Sequence, residues 1–296
     1  MKRLTAQDFD QELLILFDAY VHGAIDRRGF LAGAQKFAVA GMSASMVLAA
    51  LSPNFAQAQQ ISPDDKRLKT ARVSYPSPDG SGTVKGYLAR PASASGALPA
   101  VLVAHENRGL NPHIEDVARR LALDGFMAFA PDALTPVGGY PGDEDKAREL
   151  FANLDQAKTR VDFLAGARYL KGRPDCNSKL GAVGFCWGGG VAHVLSTQLP
   201  ELDAAVSFYG NHPPAEDAAK VKAPLLIHFA GVDERINAAW PAYEAALKSA
   251  GVRYTAYQYA GTQHGFNNDT TPRFDAASAK LAWERTLAFF EKRLRA

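Results

Sequence analysis

Three side chains in this 296-residue sequence have the chemistry of acyl transfer: the thiol of Cys186, the carboxylate of Asp233 and the imidazole of His264. A thiolate attacks a carbonyl carbon, an imidazole carries the thiol proton to the leaving group, and a carboxylate fixes the tautomer of the imidazole. Cys186 stands in Gly184-Phe-Cys-Trp-Gly188-Gly-Gly, after the apolar Leu180-Gly-Ala-Val and before the helix-compatible Val191-Ala-His-Val-Leu. Strand, sharp turn and helix in that order make a nucleophile elbow, where glycines two residues before and after the nucleophile relieve crowding. The turn sets the sulfur at a positive helix N-terminus, which lowers a thiol's pKa and aims backbone N–H groups at an incoming carbonyl. The plain alternative is a buried cysteine at a glycine-rich strand end.

Asp233 follows a short apolar run in Gly231-Val-Asp-Glu-Arg, and His264 lies in Ala260-Gly-Thr-Gln-His-Gly-Phe, past another strand-like segment. Each alone has an ordinary reading, a turn-forming aspartate and a solvated loop histidine. Together they give the order nucleophile, acid, base of the α/β-hydrolase arrangement. Glu234 is the alternative acid, but the glycine-containing turn favours Asp233. The oxyanion is expected to be held by the backbone N–H of Trp187 and that of Asn107, in the loop His105-Glu-Asn-Arg-Gly-Leu.

The elements that must position these groups are legible as hydrophobic runs. The segments 72–75 and 83–89 read as a hairpin, and 100–104 and 126–130 as buried parallel strands with a helix between them. A long helical stretch over 143–170, broken near Asp155, precedes the strand into Cys186. Strands at 204–209, 224–230 and 253–259 follow, and an amphipathic helix at 276–294 closes the chain. The expected fold is α/β: an eight-stranded, mostly parallel sheet with helices on both faces, its site in loops at the carboxyl ends of the strands. Cys186 would follow the fifth strand, Asp233 the seventh and His264 the eighth.

On these residues the sequence resembles the dienelactone hydrolases (carboxymethylenebutenolidases) of the α/β-hydrolase superfamily, over roughly residues 72–294. Cysteine rather than serine at the elbow is the discriminating mark. The resemblance implies that Glu106 pairs with the resting thiol and swings away when substrate binds; the alternative is a structural glutamate capping a turn. It also implies two arginines that hold a substrate carboxylate. The segment after His264, Gly265-Phe-Asn-Asn-Asp-Thr270, has none, so a shifted clamp through Arg108 or Arg148 is expected instead. The function expected is cofactor-free hydrolysis of a small-molecule ester or lactone with a good leaving group, because a thiolate is itself readily expelled. The alternatives are a general carboxylesterase or thioesterase, and a non-catalytic binding protein on the same fold, which predicts a damaged triad.

Composition narrows the rest. With 47% hydrophobic and 22% charged residues and a net charge of +2, the chain has no nucleic-acid or membrane-surface footprint. Cys176 and Cys186 would stand roughly 15–20 Å apart along one strand, too far for a disulfide. No Cys-x-x-Cys or clustered His/Cys spacing suggests a structural zinc.

The first 58 residues read differently. Asp26-Arg-Arg-Gly-Phe-Leu-Ala, a mildly apolar run from Phe37 to Leu51 and the small-x-small Ala56-Gln-Ala58 resemble a twin-arginine export signal. The expected organisation is a signal region 1–58, a linker 59–69 and a hydrolase domain 70–296, exported to the periplasm by the twin-arginine machinery and cleaved after Ala58. The apolar run is too short for a stable membrane span. Phe9, Leu13, Leu14, Phe17 and Val21 recur at helical spacing, however, so the alternative is a retained amphipathic helix on a cytoplasmic protein.

Overall fold

The computed structural model describes residues 3–37 and 43–295; part of the apolar run from Phe37 to Leu51 therefore lies outside the described residues. In chain order the longer elements are α1 (Gln11–Val21), α2 (Arg27–Ala34), α3 (Ala44–Leu51), α4 (Phe55–Ala58), β1 (Leu68–Ser77), β2 (Gly82–Pro91), β3 (Leu98–Ala104), α5 (Pro112–Leu123), β4 (Met127–Pro131), α6 (Glu144–Ala152), α7 (Gln156–Lys171), β5 (Cys176–Phe185), α8 (Trp187–Gln198), β6 (Ala204–Phe208), β7 (Leu225–Val232), α9 (Glu234–Asn237), α10 (Trp240–Ser249), β8 (Tyr254–Gln263) and α11 (Ala276–Leu294).

The eight strands form one sheet in the order β1-β2-β4-β3-β5-β6-β7-β8. β2 pairs antiparallel with β1 and with β4, and the remaining neighbours are parallel. Parallel strands need crossover helices, and these cover both faces. Phe163, Leu170, Val191, Leu195 and Leu247 of α7, α8 and α10 pack on one face. Ile114, Val117, Leu121, Ala282 and Phe290 of α5 and α11 pack on the other. Each fully buried Leu or Phe contributes about 1.5–3 kcal/mol.

Local chemistry sets the helix boundaries. The break expected near Asp155 is real, since its carboxylate accepts from Ala157 N and Lys158 N and starts α7 afresh. Asn111 caps α5 in the same way, with Pro112 in its first turn.

Residues 3–37 and 43–58 build a separate small cluster from Leu13, Leu14, Phe17, Tyr20, Phe30, Ala34, Val47, Leu48 and Leu51. It meets the rest of the chain through several polar contacts. Arg273 Nη1 reaches Asp18 Oδ1 at 3.1 Å, Tyr20 and Arg27 both engage Asp145, and Asn54 N donates to Thr270 O at 2.8 Å. The stretch 59–69, expected as a linker, is pinned rather than free. Ile61 N donates to Asp116 Oδ1 at 2.8 Å, and Arg119 Nε to Ile61 O at 3.0 Å. Among the described residues no helix is long and apolar enough to cross a membrane.

Candidate active site

Cys186 occupies the turn between β5 and α8 with φ 55° and ψ −116°, a conformation that L-residues rarely adopt. Such strain persists only where the surroundings enforce it. Here a Cβ on Gly184 would lie 1.8 Å from Gly188 O, and one on Gly188 would lie 2.1 Å from Ala104 O, so both positions admit only glycine. The Cys186 N–H donates to Phe208 O at 3.0 Å, tying the elbow to β6.

His264, past β8, sends Nδ1 to Asp233 Oδ2 at 2.6 Å, past β7, and all three side chains are buried. His264 Nε2 is buried without a hydrogen-bond partner, while ligand atoms of Cys186 and His264 lie within 4.8 Å of each other. Thiol and ring thus face one another. Burial alone would push the thiol's pKa up; the imidazoles of His264 and then His22 outweigh it and bring the thiol down to about 6. Burial likewise works against a charged His264, but the facing thiol and the Asp233 carboxylate raise it to about 10. The pair therefore favours thiolate and imidazolium.

The loop after β3 is held by contacts of His105. His105 accepts from Ala133 N at Nε2, leaving Nδ1 to donate to Glu106 O, and its ring stacks on Trp187 at 5.4 Å. Trp187 turns its indole away, donating to Gln156 Oε1 at 2.9 Å.

Glu106 is not on the thiol. Its carboxylate accepts from Asn268 Nδ2 at 2.8 Å, and the group facing Cys186 Sγ is His22 Nε2, at 3.3 Å. His22 follows the last turn of α1, and its Nδ1 is held by Asp18, 2.8 Å from the carbonyl and 3.3 Å from the carboxylate. No motif in the sequence marks His22; its one signal is the helical periodicity of α1, which says that the helix packs on something but not on what.

The two expected substrate arginines are engaged by the same segment. Val21 O accepts from Arg108 Nη1 and Nη2, both at 3.3 Å, and from Asn107 Nδ2 at 2.9 Å. These donors cap a helix end whose carbonyls otherwise lack partners. Arg148 lies over the Tyr20 ring, 4.5 Å from its centroid. What remains between these residues, Glu106 and Asn268 is a void of about 50 Å³, on the scale of one or two waters. A larger cleft of about 260 Å³ lies on the other side of α1, lined by Asp18, Asp233, Arg235, His264 and Arg273. Arg273 lies three residues beyond the arginine-free segment 265–270, and the fold brings it back beside Asp18.

An elbow after the fifth strand, an acid after the seventh and a histidine after the eighth of this sheet define an α/β-hydrolase. The dienelactone hydrolase family model matches residues 84–294, most of the chain, and a YqhI-like model matches residues 1–39. The chain belongs to the dienelactone hydrolase family. It is 32% identical over 228 residues, 72% of this chain and 84% of the relative, to a Salmonella typhi protein named "Putative carboxymethylenebutenolidase". It is 54% identical over 114 residues, 38% of this chain and 97% of the relative, to the "Putative hydrolase fragment YghX" of Escherichia coli K12. Among solved structures, a "Putative Dienelactone Hydrolase" from Klebsiella pneumoniae superposes with a TM-score of 0.69 at 29% identity, covering 76% of this chain and 99% of its own.

Proposed function

We propose that the protein hydrolyses carboxylic ester or lactone bonds through Cys186, His264 and Asp233, by way of a thioester acyl-enzyme. Cys186 sulfur attacks the carbonyl carbon, and the oxyanion is received by the backbone N–H groups of Trp187 and Asn107. His264 delivers the proton to the departing alkoxide, then takes one from water, which attacks the thioester and returns the thiol. Asp233 holds His264 in the tautomer that exposes Nε2.

The observation that carries this reading is the 2.6 Å contact between His264 Nδ1 and Asp233, aligned beside a strained cysteine elbow. Arg108 and Arg273, which line the void beside Glu106, support a substrate that carries a carboxylate, since guanidinium matches carboxylate geometry. Rapid mixing with an activated ester and mass analysis is the test. A mass increase equal to the acyl group on the Cys186 peptide, lost in Cys186→Ala, supports the reading; acylation of another residue, or undiminished turnover by Cys186→Ala, removes it.

Export to the periplasm by the twin-arginine machinery is proposed on the Arg27-Arg28 pair and the apolar run. In the docked state the cleavage site would be closed, because Ala58 ends α4 and is buried. Docking of α1 over Cys186 favours the second reading, a retained segment. N-terminal sequencing of the protein isolated from cell fractions separates them: a start at Gln59 in the periplasm supports export, and a start at Met1 in the cytoplasm supports retention.

A further inference from the structure

The sequence has no metal-ligand spacing, yet the fold brings His22, Cys186 and His264 together with one ligand atom from each, all within 4.8 Å of one another. We propose that these three side chains form a binding site for one divalent transition-metal ion, with zinc favoured by the two-imidazole, one-thiolate donor set.

Geometry is the first support. Tetrahedral zinc, with bonds of about 2.0–2.3 Å, needs ligand atoms about 3.5 Å apart. His22 Nε2 and Cys186 Sγ are already 3.3 Å apart, so closure on His264 requires side-chain movement of about 1 Å. His264 Nε2 is buried and has no hydrogen-bond partner in the fold.

The outer contacts are the second support. A metal-binding histidine commonly donates its other ring N–H to a carboxylate, which fixes the tautomer and raises its basicity. Both histidines have this partner: His264 Nδ1 meets Asp233, and His22 Nδ1 meets Asp18. Each Nε2 is thereby the ring nitrogen left to the metal. Three protein ligands leave a fourth position open. One group competes: Arg235 Nη2 lies 3.1 Å from His22 Nε2 and must give way.

When the ion binds, the proton that Cys186 and His264 share leaves to solvent, so that the sulfur and His264 Nε2 are both free to bond the metal. The sulfur lone pair is then committed, so ester hydrolysis stops while the ion is held. Because α1 supplies His22, the site exists only while the N-terminal segment is docked.

The test uses the full chain stripped by chelator, with Zn²⁺ followed by calorimetry and Co²⁺ by absorption. Neither readout depends on turnover, so the outcome is separate from that of the hydrolase reading. One ion per chain is expected, with a thiolate-to-cobalt charge-transfer band and the strong visible bands of a four-coordinate ion. Asp18→Asn is expected to weaken zinc about 10- to 100-fold. His22→Ala and Cys186→Ser should weaken it more, the latter also abolishing the charge-transfer band. Arg235→Gln should tighten binding, and Cys176→Ser should leave it unchanged. His22→Gln replaces His22→Ala if the latter fails to fold. Absence of binding at micromolar Zn²⁺, or an affinity that ignores both the His22 and Cys186 substitutions, overturns the site.

Discussion

His22 Nε2 lies 3.3 Å from Cys186 Sγ although 164 residues separate them in the chain. The same N-terminal segment meets Arg108 and Asn107 through Val21 O and Arg148 through the ring of Tyr20. One helix thus covers the thiol, both expected substrate arginines and the side chain beside the expected oxyanion donor. Its own apolar cluster is separate from the two cores of the sheet, so removing it takes little from either.

A protein beginning at Gln59 should therefore be the better esterase. The half-exposed Arg27–Asp145 ion pair contributes about 0–1 kcal/mol and the Tyr20–Asp145 hydrogen bond about 1, so docking leans on few strong contacts, chiefly Asp18 with the buried Arg273, and is reversible. A segment docked in ten molecules of eleven costs the substrate about 10-fold in apparent affinity. Steady-state kinetics on an activated ester should show about a 10-fold rise in kcat/KM, mainly through KM. Added salt should move the full chain, and not the shorter one, in the same direction. A shorter protein that is less active would mean that α1 completes the site.

Asp233→Asn retains the shape of the acid but removes its charge and permits the wrong histidine tautomer. We expect kcat to fall by about 10²- to 10⁴-fold with the fold intact. Circular dichroism checks the fold and initial rates check the chemistry; a near-normal kcat would pass the role of acid to Glu234.

Gly188→Ala should damage the elbow itself. The added Cβ would sit 2.1 Å from Ala104 O, a backbone atom that cannot swing aside. A loss of about 2 kcal/mol or more is expected, read as a lower urea midpoint. Gly96→Ala, whose Cβ would meet nothing within 4 Å, is the control and should leave the midpoint nearly unmoved.

Acid should destabilise the protein through two buried histidines away from the site. Burial holds His193 and His228 down to about 3, with Arg285 adding to the effect at His228. Their folded values lie below the unfolded one of about 6.5, so the unfolded chain takes up protons that the fold refuses. Their contribution is complete above pH ~6.5 and is lost as the pH falls towards ~3, by about 1–2 kcal/mol per ring at pH 5. Urea titrations at pH 7.5 and 5.0 should show the loss, and His193→Gln should flatten the slope. Equal stability at both values would refute it.

Much of this protein was legible in its order of residues. Apolar runs of strand length alternating with helical periods specified most of the strands, because a parallel strand buried on both faces favours apolar side chains at nearly every position. The elbow was legible because its crowding admits only glycine at 184 and 188, and the order of Cys186, Asp233 and His264 followed from strand ends. Pairings between distant segments were not legible. A local pattern records what a segment needs, not which surface satisfies it, so the periodicity of α1 announces a packed helix without naming the thiol that the fold lays it across. The position of Glu106 on Asn268, the burial of Arg273 near Asp18 and the meeting of His22 with Cys186 all depend on side chains brought together across the fold. Only tertiary structure decides such contacts.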